Sequence, residues 1–208
     1  AEDQAEDTFG EYPPFAMTGY AQGGYVASAS SEYSSTYQQW EPYGEGGTDA
    51  GDSWISGPTQ NYFATGTGAT GEAYTSGASV ADTTVIDGVT TYGEWNQVEF
   101  PEKLHLSSVA LNGINTADAA RYPRDAIVCA SIDGNTWTSI GSWTGEVNRA
   151  EDNIKHYTLN STKSFKYVRI VVTKISTGYD GLTMLSRVRY YGHRENDLVR
   201  LPDPTNVL

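Results

Sequence analysis

The 208-residue chain predicts one all-β domain, an antiparallel β-sandwich with terminal extensions. Its composition is typical of strands and turns, with 22 glycines, 15 tyrosines and 5 tryptophans. Short alternating segments are separated by turn residues, and no stretch keeps the apolar period of an amphipathic helix. Regularly spaced strands without intervening helices favour a sandwich over a parallel sheet covered by helices.

The clearest hairpin lies in the second half of the chain. The apolar segment 126–131 is followed by a turn at residues 133–135 and then by Trp137. The Asp-Gly pair in this turn favours a hairpin, because glycine accepts positive φ and aspartate can bond its own backbone. We predict that Ile127, Ile132 and Trp137 build the sandwich core.

The remaining strands are predicted from alternation and from the turn residues that bound them. They are expected at residues 25–31, 94–100, 104–111, 154–159, 166–174 and 185–192. A further hairpin is expected at 83–91, with Asp87 and Gly88 at its turn. Pro101 is predicted to end the strand before it, and Trp95 is assigned to the core.

The predicted organisation has three parts. Residues 1–17 form an acidic N-terminal arm that contains two consecutive prolines, and residues 18–194 form the sandwich. Residues 195–208 contain two further prolines and are predicted to be a C-terminal tail. Charged or proline-containing ends of this kind suit docking to neighbouring molecules.

The charge is divided unevenly along the chain. Residues 1–102 carry 16 acidic side chains and no lysine or arginine, whereas residues 103–208 carry 13 basic and 10 acidic ones, for a net charge of −13. This balance disfavours nucleic-acid binding, which needs lysine and arginine to neutralise phosphates. Two explanations of the asymmetry stay open. One is solubility or adaptation to a salty medium, and the other is head-to-tail subunit contact or cation binding.

Catalytic and redox chemistry have little support in the sequence. The three histidines, His105, His156 and His193, are far apart and lack metal-ligand spacing, so each is predicted to be structural. Cys129, the one cysteine, sits in an apolar segment and is predicted to be a buried, inert thiol. No apolar run reaches the length of about 18 residues expected of a transmembrane helix. The chain is therefore predicted to be non-enzymatic, with no membrane insertion.

Several motifs occur in the order seen in discoidin-like domains, also called coagulation-factor type C domains. The segments that resemble that family are 94–101, 106–111, 131–137, 167–173 and 188–192, within a resemblance that covers residues 19–192. The approach to the central hairpin, residues 121–123, is similar to versions of the domain in large-virus and phage particle proteins.

The resemblance implies an antiparallel jelly-roll β-sandwich of the galactose-binding-domain-like class. Members of the family are mostly binding and adhesion modules, whose ligands, often sugars, sit on loops at one end. Many members hold a structural calcium near that end, and the acidic residue common in their last strand is replaced here by Arg187. Asp49 and Asp52 are the candidate Ca²⁺ ligands, because loop carboxylates and carbonyls suit this ion, and a solvated acidic turn is the alternative.

A sugar site needs an aromatic platform with hydrogen-bond donors beside it. The candidate residues are those aromatic or polar side chains expected on loops at the binding end. They are Trp40, Tyr43, Arg121, Tyr122, Arg124, Tyr179 and Asp180. In the alternative, Trp40 and Trp54 cover the end of the sandwich, and Arg121 pairs with loop carboxylates.

Two functions from different classes follow from these observations. The first is a structural or adhesion subunit on an extracellular or virion surface, assembling through arm, tail and loops with copies of itself or other particle or filament subunits. The second is a carbohydrate-binding module that recognises a cell-surface glycan. The arm and tail favour the first, and the aromatic loops favour the second.

Overall fold

The computed structural model describes residues 9–45, 53–57, 72–73, 83–148, 153–176 and 181–195. Its strands are β1 Gly10–Tyr12, β2 Ala21–Gln22, β3 Tyr25–Ala29, β4 Trp54–Ile55, β5 Glu72–Ala73, β6 Thr83–Ile86, β7 Val89–Tyr92, β8 Glu94–Asn112, β9 Pro123–Ser131, β10 Thr138–Trp143, β11 Ile154–Thr158, β12 Phe165–Ile175, β13 Met184–Leu185 and β14 Val188–Arg194. The described residues also form two short 3₁₀ helices, Glu41–Tyr43 and Thr116–Arg121. Every strand pair is antiparallel, which confirms the predicted all-β sandwich.

The 19-residue strand β8 belongs to both layers of the sandwich. Its first part pairs with β3 and β12, and its second part pairs with β11 and β14. The prediction that Pro101 ends a strand is wrong. The ladder between β8 and β12 passes from Glu99 directly to Leu104, so the proline lies where no ladder bond to that neighbour is required.

The two ends of the sandwich can be named from the ladder between β9 and β12. We call the end marked by Pro123 and Ile175 the upper end, and the end marked by Ser131 and Tyr167 the lower end. Strand β8 starts at the upper end, bends at the lower end and returns. The loops that follow β3 and precede β9 therefore meet at the upper end.

The sandwich core fills the space between the layers with aliphatic and aromatic side chains. Val98, Phe100 and Leu106 of β8 are completely buried there, together with Val168 and Tyr190 from the neighbouring strands. Burial of this kind contributes about 25 cal/mol for each Å² of apolar surface removed from water. The alternation predicted for residues 94–100 is present, since every second side chain points inward.

A smaller cluster covers the opposite face of the sheet. The hairpin of β6 and β7 folds over it, and Ile86 of this hairpin packs with Trp137 and Val171. The guanidinium of Arg169 lies between two indoles, 3.7 Å from the ring centroid of Trp95 and 4.1 Å from that of Trp137. Such contacts stabilise a buried cation.

The structure corrects the predicted core positions of four residues, which are Trp95, Trp137, Ile127 and Ile132. Trp137 is buried as predicted, but in the outer cluster. Trp95 is only partly buried in the same cluster, because the inward positions of β8 beside it are taken by Glu94 and Asn96. Ile127 is only partly buried, in the same outer cluster. Ile132 is 43% exposed, because it lies in the turn beyond the end of β9.

Cys129 behaves as predicted. Its thiol is free and lies buried in the outer cluster. Burial raises the pKa of this thiol to about 12, so the reactive thiolate is suppressed at neutral pH. Burial also lowers the pKa of Arg169 to about 10, which leaves the guanidinium protonated at neutral pH.

The predicted Asp-Gly turn is held by one carboxylate. Oδ1 of Asp133 accepts hydrogen bonds from the backbone N–H groups of Asn135, at 2.9 Å, and Thr136, at 2.8 Å. The hydroxyl of Ser131 donates a third bond to the same oxygen, at 2.9 Å. Gly134 takes a φ of 77°, which glycine accepts readily.

A pH titration should detect this turn directly. The three donors lower the pKa of Asp133 to about 2, so carboxyl NMR should show it titrating below the usual value of about 3.9. Because the folded pKa is depressed, the turn's contribution to stability is complete above about pH 4 and is lost as the pH falls through about 2. A titration near the usual aspartate pKa would contradict this hydrogen-bond arrangement.

Both described chain ends join the same layer. Gly10–Tyr12, inside the predicted arm, pairs with β14, so this end of the arm is part of the sheet. The last predicted strand is divided into β13 and β14, and β13 pairs with β4. No helix in the described residues is long and apolar enough to cross a membrane. Residues 1–8 of the arm and 196–208 of the tail lie outside the described part of the chain.

Candidate functional site

A cleft opens among the loops of the upper end. Its volume is about 120 Å³, and its lining residues are Tyr33, Tyr37, Ile55, Arg121 and Leu182. These residues come from four separate parts of the chain, which the sandwich brings together. The cleft therefore combines aromatic rings, two aliphatic side chains and one cation at a single place.

One wall of the cleft is a pair of tyrosines. The rings of Tyr33 and Tyr37 meet edge to face, with centroids 5.7 Å apart and an angle of 64° between planes. Tyr33 is 47% exposed, so part of its ring faces solvent. Its backbone N–H donates to the carbonyl of Ile55 at 2.9 Å, and that bond fixes the loop against β4.

The floor of the cleft rests on a small apolar cluster. Ile55 and Leu182 pack there with Ile114, Tyr122 and Met184, and Tyr37 packs against the group. A tightly packed floor limits side-chain movement beneath the lining residues.

Arg121 lies at the end of the 3₁₀ helix Thr116–Arg121. Asn115 caps this helix by accepting a 2.8 Å bond from the backbone N–H of Asp118, and its amide donates to the Asp118 carboxylate at 2.9 Å. That carboxylate pairs with the guanidinium of Arg121, whose side chain is mostly buried. The cap thus fixes the acid, and the acid fixes the arginine that lines the cleft.

The loop that carries the two tyrosines is anchored by polar residues inside the sandwich. The Glu94 carboxylate accepts hydrogen bonds from the hydroxyls of Ser30 and Ser31. Asn96 accepts a 2.6 Å bond from the hydroxyl of Tyr43 and donates to the carbonyl of Gln39 at 2.9 Å. Both anchoring residues are buried, and buried polar groups with partners specify one loop arrangement.

The predicted sugar-site residues that the structure describes do not all lie in the cleft. Arg121 lines it. Tyr43 and Tyr122 are core residues, because their rings are almost completely buried and leave no face for a sugar. Trp40 packs against the main core and donates from its indole to Gln38 at 2.7 Å. Arg124 lies in β9, outside the cleft lining.

Four predicted residues cannot be compared with the cleft. Tyr179 and Asp180 of the sugar set, and Asp49 and Asp52 of the calcium set, lie outside the described residues. Their roles stay predictions.

Tyr33 and Tyr37 are not among the site residues predicted from the sequence. A signal for them exists, because two tyrosines four residues apart stand in a polar loop directly after β3. An exposed aromatic ring such as that of Tyr33, in a loop outside the core, favours a binding role. Tyr43, a few residues further on, is fully buried, and Trp40 is partly buried against the main core.

The described residues do not fit a calcium ion at this end. They contain no group of three or more side chains suited to metal binding. Two backbone carbonyls of the loop at residues 41–44, which are oxygen ligands of the kind calcium prefers, accept hydrogen bonds from the guanidinium of Arg189 instead. Arg187, which replaces the acidic residue of the family pattern, accepts a hydrogen bond from the backbone N–H of Asn112 through its own backbone carbonyl.

The family profile for the F5/8 type C domain matches residues 65–188, which is more than half of the chain. The chain belongs to the F5/8 type C domain family. This assignment agrees with the discoidin-like resemblance of the sequence motifs. No curated protein matches this F5/8 type C domain.

Solved structures similar to this F5/8 type C domain share its fold. CBM32-3 of a family 31 glycoside hydrolase from Clostridium perfringens has a TM-score of 0.53 at 15% identity, covering 81% of this chain and 91% of that one. The family 32 carbohydrate-binding module of C. perfringens NanJ, in complex with galactose, has a TM-score of 0.51 at 15% identity and covers 83% and 96%. An F5/8 type C domain from Bacteroides fragilis has a TM-score of 0.54 at 10% identity and covers 90% and 99%.

These similar structures are carbohydrate-binding or F5/8 type C domains, and CBM32-3 is part of a glycoside hydrolase. All three come from bacteria, and none of them points to a virus or phage particle.

Proposed function

We propose that this F5/8 type C domain is a non-catalytic carbohydrate-binding module that holds one sugar residue of a glycan in the upper-end cleft. The observation that carries the proposal is the meeting of the Tyr33–Tyr37 pair with Arg121 in one cleft. Galactose in the similar module of C. perfringens NanJ gives independent support for a sugar as the ligand class.

The lining residues suit the two chemical faces of a sugar ring. The C–H face of a pyranose packs against an aromatic ring, and the partly exposed ring of Tyr33 offers such a surface. Sugar hydroxyls accept hydrogen bonds from a guanidinium, which carries five N–H donors in a rigid fork. Ile55 and Leu182 supply the apolar floor on which the ring rests.

The size and charge of the cleft restrict the kinds of sugar that it could bind. At about 120 Å³ it is smaller than the roughly 300–1,000 Å³ of pockets for drug-sized ligands, which favours a single terminal sugar over an extended chain. The charge of Arg121 is offset by Asp118, and the protein as a whole carries −13. A neutral sugar is therefore favoured over an acidic one.

The expected partner is a glycan on a cell surface or in an extracellular matrix, and the expected location is extracellular. The similar structures favour this function over the particle or filament subunit that the arm and tail first indicated.

Loss of binding in cleft variants tests the function. We expect Tyr33→Ala and Arg121→Ala each to lower affinity for the glycan by at least about tenfold, equivalent to about 1.4 kcal/mol. A glycan array that includes galactose identifies the ligand, and isothermal titration calorimetry measures the affinity. Arg194→Ala is the matched control, because it removes an exposed arginine at the lower end.

Two results would contradict the proposed sugar site. Binding to no glycan on the array, or cleft variants that keep their affinity while Arg194→Ala loses it, would exclude the cleft as a sugar site. Melting temperatures of all variants separate a lost contact from a lost fold.

A further inference from the structure

A buried arginine in the last strand collects oxygen atoms from three parts of the chain. The side chain of Arg189 lies within β14, and the residue is only 5% exposed. Its Nη1 donates to the carbonyls of Pro42, at 3.1 Å, and Val188, at 2.8 Å, and its Nη2 donates to the carbonyl of Gly44. Its Nε lies 2.9 Å from the carboxylate of Glu11 in β1.

The oxygen atoms around Arg189 are of the same chemical types as those that coordinate a hard metal ion. Backbone carbonyls and a carboxylate are the ligands that calcium collects when it fixes a loop. Here the positive charge comes from a side chain, and a planar guanidinium satisfies several oxygens at once. Burial lowers the pKa of Arg189, and the neighbouring charge of Arg187 lowers it further, whereas Glu11 opposes both effects.

The loop that receives these bonds matters for the upper end. Pro42 and Gly44 flank Tyr43, which is buried and donates to Asn96. The same stretch of chain, residues 30–45, carries the cleft tyrosines. The guanidinium of Arg189 therefore binds this stretch at residues 42–44, while Glu94 and Asn96 of β8 bind it at Ser30 and Gln39.

We infer that Arg189 is the built-in cation of this loop, and that its guanidinium holds residues 42–44 in place of calcium. The carbonyls of Pro42 and Gly44 bind the guanidinium, so this position has no need of a divalent ion. Glu11 extends the arrangement to β1, which ties the arm strand to the same cation. The inference concerns loop stability and does not depend on which glycan the cleft binds.

The first measurement uses the unaltered protein without glycan. Its melting temperature is expected to be the same after treatment with excess EDTA and in millimolar CaCl₂. A calcium-dependent rise of the melting temperature that persists in the double variant Asp49→Asn, Asp52→Asn would overturn the inference, because the ion would then bind without those carboxylates and compete for the loop carbonyls. A rise that the double variant abolishes would assign the ion to residues 49 and 52 and leave Arg189 as the cation of residues 42–44.

The second measurement uses variants of β14. Arg189→Gln is expected to lower the melting temperature by about 5–15 °C, because carbonyls and a carboxylate lose their buried partner. Arg187→Gln is the matched control, since it removes the same charge two residues away in a half-buried side chain. Equal melting temperatures for Arg189→Gln and Arg187→Gln would overturn the inference. If Arg189→Gln does not fold while Arg187→Gln does, the result supports it, and the calcium measurement still decides metal dependence.

Chemical rescue gives a third, independent readout. Arg189→Ala leaves space at the oxygen cluster, and low millimolar guanidinium is expected to raise its melting temperature but not that of the unaltered protein. Rescue by CaCl₂ and not by guanidinium would contradict the assignment of a guanidinium site.

Discussion

Trp137→Ala is expected to lower the free energy of unfolding by about 3–5 kcal/mol, the usual cost of removing a large buried aromatic side chain. The indole packs with Ile86 and covers one face of the Arg169 guanidinium. Its loss leaves a cavity and removes one of the two rings that lie against the partly buried Arg169 guanidinium. Urea denaturation monitored by circular dichroism measures the change.

The loss should be concentrated in the hairpin of β6 and β7. The backbone N–H of Asp87 donates to the carbonyl of Trp137 at 3.0 Å, and the Asp87 carboxylate accepts from the N–H of Ser139 at 3.0 Å. Hydrogen exchange at residues 83–92 should therefore accelerate more than exchange in β12. Val89→Ala, on the same hairpin but 66% exposed, is the control and should change stability by less than about 0.5 kcal/mol. Equal stability of Trp137→Ala and Val89→Ala would contradict the outer cluster.

Gly192→Ala is expected to destabilise the fold by about 3 kcal/mol through a backbone collision. A Cβ atom at this position would lie 2.2 Å from the carbonyl oxygen of His105 and 3.0 Å from Cα of Leu106. These atoms belong to β8, so the neighbouring strand would have to move, as in an overpacked core. Thermal and urea denaturation give the stability difference.

Gly19→Ala is the matched control for this substitution, because a Cβ atom there would meet nothing within 4 Å. It should leave stability unchanged within about 0.5 kcal/mol. If both variants were equally stable, the close approach of β14 to β8 at Gly192 would be wrong. The glycine at the end of the family-like segment 188–192 thus has a physical reason, since only glycine permits the close approach of β14 to β8 at this bulge.

The strands were largely predictable because their signals are local. The alternation at residues 94–100 and the Asp-Gly turn at 133–134 are each read from a few consecutive residues, and both appear in the structure. Which side chains of each strand point into the core was less predictable. Trp95 is the more apolar neighbour of Asn96, yet Asn96 points inward because its partners, Tyr43 and Gln39, come from a distant loop.

The candidate site was only partly predictable for the same reason. Arg121 was identified from its place in the loop before the central hairpin, and it lines the cleft. Tyr43 and Tyr122 occur in loops of similar composition but fill the core. Whether a loop aromatic is exposed depends on which elements pack above it, and that information is not local in the sequence.

The role of Arg189 was also not predictable from the sequence. Arg187 is the arginine that stands at the family's acidic position in the last strand. The guanidinium that reaches the loop carbonyls belongs instead to Arg189. The choice between these positions depends on where the loop lies over β14, which strand alternation cannot give.

The pairing of β1 with β14 has a consequence for how the domain works when it is tethered. Gly10 pairs with Gly192, and Arg194 pairs with Leu104 at the bend of β8, so β1 begins and β14 ends at the lower end. The cleft opens at the upper end. A linker joined at the start of β1 or at the end of β14 would therefore leave the cleft that we propose for sugar binding at the opposite end of the domain, where the linker does not block the approach of a ligand.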